Sequence, residues 1–253
     1  MENKRKDERM KIDNLEQFSD AFGAMLAKKP ERDELLKNGK AMLSELVLKP
    51  NWFQPILTKL VLDEAFLKSQ WQSIDPNEIQ IYRSNDKMFS VRAYIWEPNV
   101  AYPIHDHGAW GIIGTHINQI TERKFIRLDD GCNDNYAELK QVSEKVLSPG
   151  DTTFVLPLDQ GIHQMQATSD LTAVSIHIYG TPIRKGFIHY FDLQRKSVQR
   201  MYPPAINKKI FAIRTLGSIS EPWAEEVLCK SMNSDTQDYI KMECCESLLK
   251  LRG

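Results

Sequence analysis

Of the six histidines in the chain, three are spaced for metal chemistry. His105-Asp106-His107 puts two imidazoles at i and i+2. In an extended segment such residues point to the same face, because side chains alternate with a period of two. His163 follows in Gln160-Gly161-Ile162-His163-Gln164-Met165 and, carried on a returning strand, would complete one face of a coordination shell. Three neutral nitrogens on one face leave the opposite positions open for substrate and dioxygen, which suits a mononuclear iron centre. Several first-row divalent ions accept such a donor set, so residue type alone does not choose the metal. Taken alone, His105 and His107 could equally be strand histidines with no metal. Their surroundings favour a site. Pro103 precedes the pair, the apolar run Gly108-Ala109-Trp110-Gly111-Ile112-Ile113-Gly114 follows it, and the turn Pro149-Gly150-Asp151 leads into a strand ahead of His163.

A second group lies in 172–179. Ala173, Ser175, His177 and Tyr179 fall on one face of a strand, and Val174, Ile176 and Ile178 on the other,. Such a strand would turn its polar side into a barrel and its apolar side toward covering helices. Polar groups in an interior need partners. A Ser175-His177-Tyr179 relay supplies them and can hold the phenol toward a metal. The other reading is an amphipathic strand with its polar side in water. His116, beside Ile117-Asn118-Gln119, reads as a surface histidine at a hairpin. His189 reads as part of a late strand outside the site, and Trp110 as packing near the metal.

Three zones must position these groups. Residues 14–69 have helical spacing: Leu15, Phe18, Phe22, Met25 and Leu26, then Leu35, Leu36, Met42, Leu43, Leu46 and Val47 around Gly39,. A third helix has Pro55 in its first turn and Leu57, Leu60, Val61 and Leu67 on its buried side,. From about 79 to 202 the pattern is of short strands (79–82, 89–96, 152–156, 172–179) bounded by turn residues, which argues for an antiparallel sandwich or barrel. From about 207 the helical period returns. Ile210, Ile213 and Leu216 form one stripe, and Gly217 fits a helix stop. Ser220-Glu221-Pro222 reads as a cap with proline in the first turn. Trp223, Val227, Leu228 and Met232, then Tyr239, Met242, Cys245 and Leu249, complete two more stripes. This tail is similar to one HEAT-like unit, chiefly over 212–219. A helical cap on the β domain is the plainer reading, since repeat arrays need three or more units.

At 253 residues and a net charge of −1, the chain is long enough for one large domain, and its charge argues against nucleic acid as the main partner,. No run reaches the roughly 18 apolar residues of a membrane span. The charged start, 1–11, has no apolar core of the signal-peptide kind. Cys132, Cys229, Cys244 and Cys245 have no CxxC spacing, so a disulfide framework is not expected and a reducing cytoplasm is the default,.

Three segments in the right order carry a family resemblance over roughly 75–200. Pro103-Ile104-His105-Asp106-His107-Gly108-Ala109-Trp110-Gly111 resembles the first metal motif of the cupin superfamily. Gly161-Ile162-His163 resembles the second. Ser175-Ile176-His177-Ile178-Tyr179-Gly180 resembles the Ser-His-Tyr strand of the cysteine dioxygenase-like thiol dioxygenases. Many cupins carry a glutamate four or five residues after the second histidine, where this chain has Gly111 and Ile112. That absence fits the thiol dioxygenases. Animal-type cysteine dioxygenases carry a cysteine at the position of Ile112, crosslinked to the tyrosine, so this chain is similar to the bacterial branch without the crosslink. That branch includes 3-mercaptopropionate dioxygenases.

The resemblance implies a mainly β fold, a cupin double-stranded β-helix barrel at 76–203, with N-terminal helices at 1–75 and the HEAT-like helical segment at 204–253. It implies Fe(II) on His105, His107 and His163, and oxidation of a small thiol by O2 to its sulfinate. It also implies Tyr179, oriented by His177 and Ser175, as hydrogen-bond donor to the reacting groups. An arginine on an early strand would grip a substrate carboxylate through two parallel bonds. Arg83 fits that place better than Arg92. A cupin oxygenase of a non-thiol molecule, and a non-catalytic metal-binding cupin that serves as sensor or scaffold, remain as alternatives. The expected partners are the thiol and O2, with neither nucleic acid nor membrane, and the C-terminal helices are left for a protein partner.

Overall fold

In the computed structural model the described residues are 12–70 and 73–252. The charged start at 1–11 lies outside them. Two compact units are present. One is built from 12–70 and 75–200, the other from 73–74 and 201–252.

The first unit opens with four helices, α1 (Leu15–Ala27), α2 (Arg32–Val47), α3 (Gln54–Leu62) and α4 (Glu64–Ser69). Asn14 begins α1 by accepting a hydrogen bond from Gln17 N at 2.9 Å, which satisfies one of the orphan donors of the first turn,. The stripes read from spacing are the buried ones in α1 (Phe18, Phe22, Leu26) and α2 (Leu35, Leu36, Leu43, Leu46, Val47). The third helix differs. Only Ile56 is buried in α3, while Val61 is 79% exposed and Leu57 and Leu67 also face solvent. The helix stops at Asp63, whose side chain accepts from Ala65 N and Phe66 N to start α4. The break takes the apolar stripe out of phase before it can reach a core.

Eleven strands follow among the described residues: β1 (Glu78–Arg83), β2 (Phe89–Trp96), β3 (Ile104–His105), β4 (Gly111–Ile117), β5 (Ile120–Arg127), β6 (Leu139–Leu147), β7 (Thr152–Val155), β8 (Ile162–Ala167), β9 (Ala173–Gly180), β10 (Ile188–Asp192) and β11 (Ser197–Met201). They make two antiparallel sheets, ordered β1-β2-β9-β4-β7 and β11-β10-β3-β8-β5-β6. Two sheets and three apolar layers account for the alternation. Val91, Ala93, Ile112, Val174, Ile176 and Ile178 point outward against α1 and α2. Between the sheets lie Tyr94, Trp96, Ile113, Ile120, Met165 and Tyr179. Behind the second sheet lie Ile104, Phe125, Ile162, Phe191 and Val198.

Every residue of β9 is buried, because it is the central strand with one face on the helices and one in the interior. A fully buried Ile, Val or Phe contributes about 1.5–3 kcal/mol. The helix-covered layer therefore supplies much of the stability and leaves the interior free to hold polar groups. Gly39 brings α2 close to that layer: a Cβ there would stand 2.5 Å from Ile112 Cδ1.

The second unit holds α5 (Pro204–Leu216), α6 (Pro222–Ser234) and α7 (Asp238–Arg252). Ile210 and Ile213 are buried as read, and Gly217 ends α5. Glu221, with no side-chain cap bond, stands at the start of α6, so Ser220 is not its cap. In α6 Ala224 and Leu228 are buried while Trp223 is 52% exposed. In α7 the buried face is one residue out of phase with the sequence reading. It holds Ile240, Glu243, Cys244, Ser247 and Leu248, and Leu249 is 67% exposed. The reason is Glu243. It accepts from Tyr202 Oη at 2.7 Å and from Arg214 Nε and Nη2 at 2.8 and 2.9 Å, so a carboxylate occupies the inner face. The likeness to a HEAT unit gains nothing further from these three helices. No helix among the described residues is long and apolar enough to cross a membrane.

Candidate metal centre

The three histidines meet in the interior between the sheets. His105 on β3 and His163 on β8 are direct cross-strand partners, so their side chains share a face,. His107 stands two residues past His105, just beyond the end of β3. The ring centroids are 4.8–4.9 Å apart in all three pairs. One ligand atom from each lies within 4.8 Å of the others. Asp106 between them faces the other way, fully buried, and accepts from Arg184 Nη1 at 2.7 Å and His189 N at 2.7 Å, with a further contact to Arg184 Nη2. Burial raises its pKa, but the hydrogen bonds from His189 and Arg184 and the guanidinium charge outweigh that and hold the carboxyl far below the usual range. His189 is thus on β10, in the network behind the pair.

Each ring is oriented through Nδ1. His105 Nδ1–H donates to Pro103 O at 3.1 Å, His107 Nδ1–H to Gly161 O at 3.0 Å, and His163 Nδ1–H to Glu122 Oε1 at 3.0 Å. That fixes the tautomer and leaves the Nε2 lone pairs for the common space, as in metal sites where an outer partner holds each imidazole. His107 Nε2 and His163 Nε2 are buried without any hydrogen-bond partner. Two orphaned acceptors in one interior need an explanation, and a cation is the simplest. Burial first, then the neighbouring imidazoles, push His107 and His163 well below the ordinary histidine value, which keeps both in the neutral, ligating form. The donor set therefore fits a divalent metal ion.

Glu122, on β5, is a functional residue the sequence reading missed. It is buried. Thr153 Oγ1 donates to its Oε2 at 2.8 Å, and Lys124 Nζ lies 3.8 Å from the same oxygen. Burial raises its pKa against the pull of Lys124 and the Thr153 hydrogen bond. The clue was present: a glutamate flanked by Ile120 and Phe125 in a charged segment that pairs with β8. The absence of a run of apolar residues hid the strand.

Ser175, His177 and Tyr179 line the opposite wall. Ser175 Oγ and His177 Nε2 are 2.7 Å apart, and His177 Nδ1 and Tyr179 Oη 2.9 Å. The Tyr179 ring stacks on His107 with centroids 5.7 Å apart, which brings relay and histidines together. Burial raises the Tyr179 hydroxyl above its usual value, against the Arg92 guanidinium, so the phenol keeps its proton. Gly111 makes room for this ring. It pairs with Tyr179 across β4 and β9, and a Cβ on it would stand 2.7 Å from Tyr179 Cε1. The residue facing the tyrosine is therefore Gly111, whereas Ile112 points outward into the helix-covered layer. A side chain at 111 would collide with the tyrosine ring, and among the described residues no cysteine stands beside the phenol.

Both arginines lie on the inner face of the first sheet. Arg83 pairs with Ser90, which pairs with Tyr179. It is exposed at the sheet edge and has no ion-pair or hydrogen-bond partner among the described residues. Arg92 lies closer, its guanidinium carbon 5.2 Å from the Tyr179 ring centre, but Nη1 is 2.9 Å from Glu78 Oε1 and the charge is already met. A small cleft opens beside His105, lined by Asp75, Asn77, Tyr94, Trp96, Tyr102 and Pro103.

One expectation is corrected. His116 is buried, not on the surface. Its Nδ1–H donates to Val47 O at 2.7 Å, and it packs between Trp52 and Phe53. The carbonyl at the end of α2 has no partner within the helix and needed a donor, and β4 runs beneath it,. Trp110 is a packing residue, as read, in the helix-covered layer near Phe22.

No family profile matches the chain. Among solved structures, a cupin 2 domain-containing protein from Halorhodospira halophila is 13% identical over 47% of this chain and 72% of its own, with a TM-score of 0.33. A double-stranded β-helix cupin protein from Methanocaldococcus jannaschii is 8% identical over 41% of this chain and 78% of its own, with a TM-score of 0.30. The DMSP lyase DddQ of Ruegeria pomeroyi is 14% identical, with a TM-score of 0.29. Here the match spans 39% of this chain and only 41% of the lyase. Likeness at this level carries no argument about activity.

Proposed function

We propose that the protein is a cupin metalloenzyme, a non-haem Fe(II) thiol dioxygenase that converts a small thiol of the cysteine or 3-mercaptopropionate type to its sulfinate. The observation that carries the reading is the set of three inward Nε2 atoms, two of them buried and orphaned, beside a protonated tyrosine. His105, His107 and His163 would hold the ion. When bound, Fe(II) supplies open positions for a thiolate and O2 and the electrons that activate O2. The overall change is RSH + O2 to RSO2H, with both oxygen atoms on sulfur.

The chain's own residues do the rest. Pro103, Gly161 and Glu122 orient the three imidazoles. Tyr179 donates its hydroxyl hydrogen to an oxygen or to the thiol's second polar group. His177 and Ser175 hold that phenol in place. Arg83, uncommitted at the rim of the same face, would take a carboxylate, while Arg92 stays neutralised by Glu78.

The test is metal content of the purified full chain together with O2 uptake on cysteine, 3-mercaptopropionate and cysteamine. One iron per chain and uptake with one of these thiols are expected. Bound metal without uptake on any thiol overturns the thiol reading and leaves the non-thiol oxygenase or the non-catalytic cupin. His163→Ala should lose the metal and keep the fold. A variant that retains its iron refutes the ligand set. Tyr179→Phe should keep the metal and lose turnover by about 10²-fold, the scale of one positioned proton donor.

A further inference from the structure

We infer that Trp96 is a positioning residue: its indole N–H starts a one-way hydrogen-bond chain that keeps the Tyr179 proton out of the relay. The inference rests on the reading above only in that it gives the phenol an acceptor beyond the relay. Trp96, on β2, donates from Nε1 to Ser175 Oγ at 2.8 Å. An indole nitrogen only donates, so the direction of this first bond is certain. Ser175 is fully buried, and the oxygen's two side-chain contacts are Trp96 and His177. If His177 also donated to that oxygen, the serine hydrogen would have no acceptor, a condition buried hydroxyls avoid.

Ser175 therefore donates to His177 Nε2. With Nε2 accepting from Ser175, the one ring proton sits on Nδ1,. The Nδ1–H then donates to Tyr179 Oη, and the tyrosine does not spend its hydrogen on the relay. The neighbourhood holds this arrangement in place. The Tyr94 ring lies 4.3 Å from the His177 ring, and Tyr94 Oη gives its own hydrogen to Glu78 Oε2 at 2.9 Å, so its oxygen can accept from Tyr179 on the side away from His177. A chain of this kind also polarises along its length, which makes each successive hydroxyl or imidazole a better donor.

The experiment reads the His177 tautomer directly. Ring ¹⁵N shifts are measured by two-bond correlation on the full chain, metal-free and zinc-loaded, with no thiol or O2 involved. The wild type should show a single tautomer, protonated at Nδ1. Trp96→Phe keeps an aromatic ring and removes the N–H. Ser175 then loses the donor that pins its oxygen, and Tyr179 can turn its hydrogen to Nδ1. The variant should show a second, Nε2-protonated population while binding zinc as the wild type does.

A wild type protonated at Nε2 overturns the direction of the chain. An unchanged single Nδ1–H tautomer in Trp96→Phe overturns the role of Trp96. If the variant does not fold, the wild-type tautomer still decides the direction. A thiol-inactive protein with the Nδ1–H tautomer would refute the dioxygenase reading and leave this one standing.

Discussion

Glu122 is where a single side chain shows most clearly how a site is held. Its two oxygens serve two masters, His163 Nδ1 and Thr153 Oγ1, at 3.0 and 2.8 Å. Loss of such an outer carboxylate typically costs about 10–100-fold in metal affinity. Glu122→Gln should therefore fold and should weaken metal binding toward the lower end of that range, as read by competition with a chelator. Unchanged affinity would mean that the carboxylate serves only Lys124 and Thr153. Gly111 bears on the same site from the other wall. Its missing Cβ is the space the Tyr179 ring occupies. Any side chain at 111 would have to displace that ring.

Among the elements, β9 and α7 teach opposite lessons. The alternation in β9 was readable because its apolar and polar faces differ in residue type, and hydrogen bonds join Ser175, His177 and Tyr179 along the polar face. In α7 both candidate stripes hold one cysteine and comparable apolar residues, and the choice was made by a partner outside the helix. Tyr202 and Arg214 draw Glu243 inward and turn the helix by about one residue, which buries Cys244 and exposes Cys245. Burial also raises the Cys244 thiol, which lowers its thiolate fraction,. An alkylating reagent applied to the native protein should modify Cys245 well before Cys244, with Cys244 reacting on unfolding. Equal native rates, resolved by peptide mass spectrometry, would contradict the helix phase.

The stability of the folded chain carries a buried-histidine contribution to its pH dependence. Burial lowers the His116 pKa, only partly offset by the hydrogen bond to Val47 O. Its folded value lies below its unfolded value. Above the unfolded value of about 6.5 both states hold the neutral ring and nothing is lost. As pH falls below that, the unfolded chain takes up a proton that the folded one refuses, and stability drops until the folded value is passed. Other buried histidines add to the same trend, so the test is a difference. His116→Gln can keep a donor to Val47 O and cannot titrate. Its denaturation midpoint should fall less between pH 7.5 and 5.5 than that of the wild type. Parallel losses would show that His116 does not contribute.

Local spacing was enough to find the three clustered histidines, the Ser-His-Tyr strand, the first two helices and the antiparallel strands around them. Each of these depends on a period of two or 3.6 residues, and a period is written into the chain. It could not find Glu122, place His116 in a core, see that Arg92 is already paired, or set the phase of α7. Each of those turns on a partner far along the chain: His163 for Glu122, Val47 for His116, Glu78 for Arg92, Tyr202 for Glu243. A buried polar residue looks like a surface one until its partner is known, because burial is favourable only once the hydrogen bond is made. Residue pattern decides which groups can face inward together; long-range pairing decides which polar groups join them there.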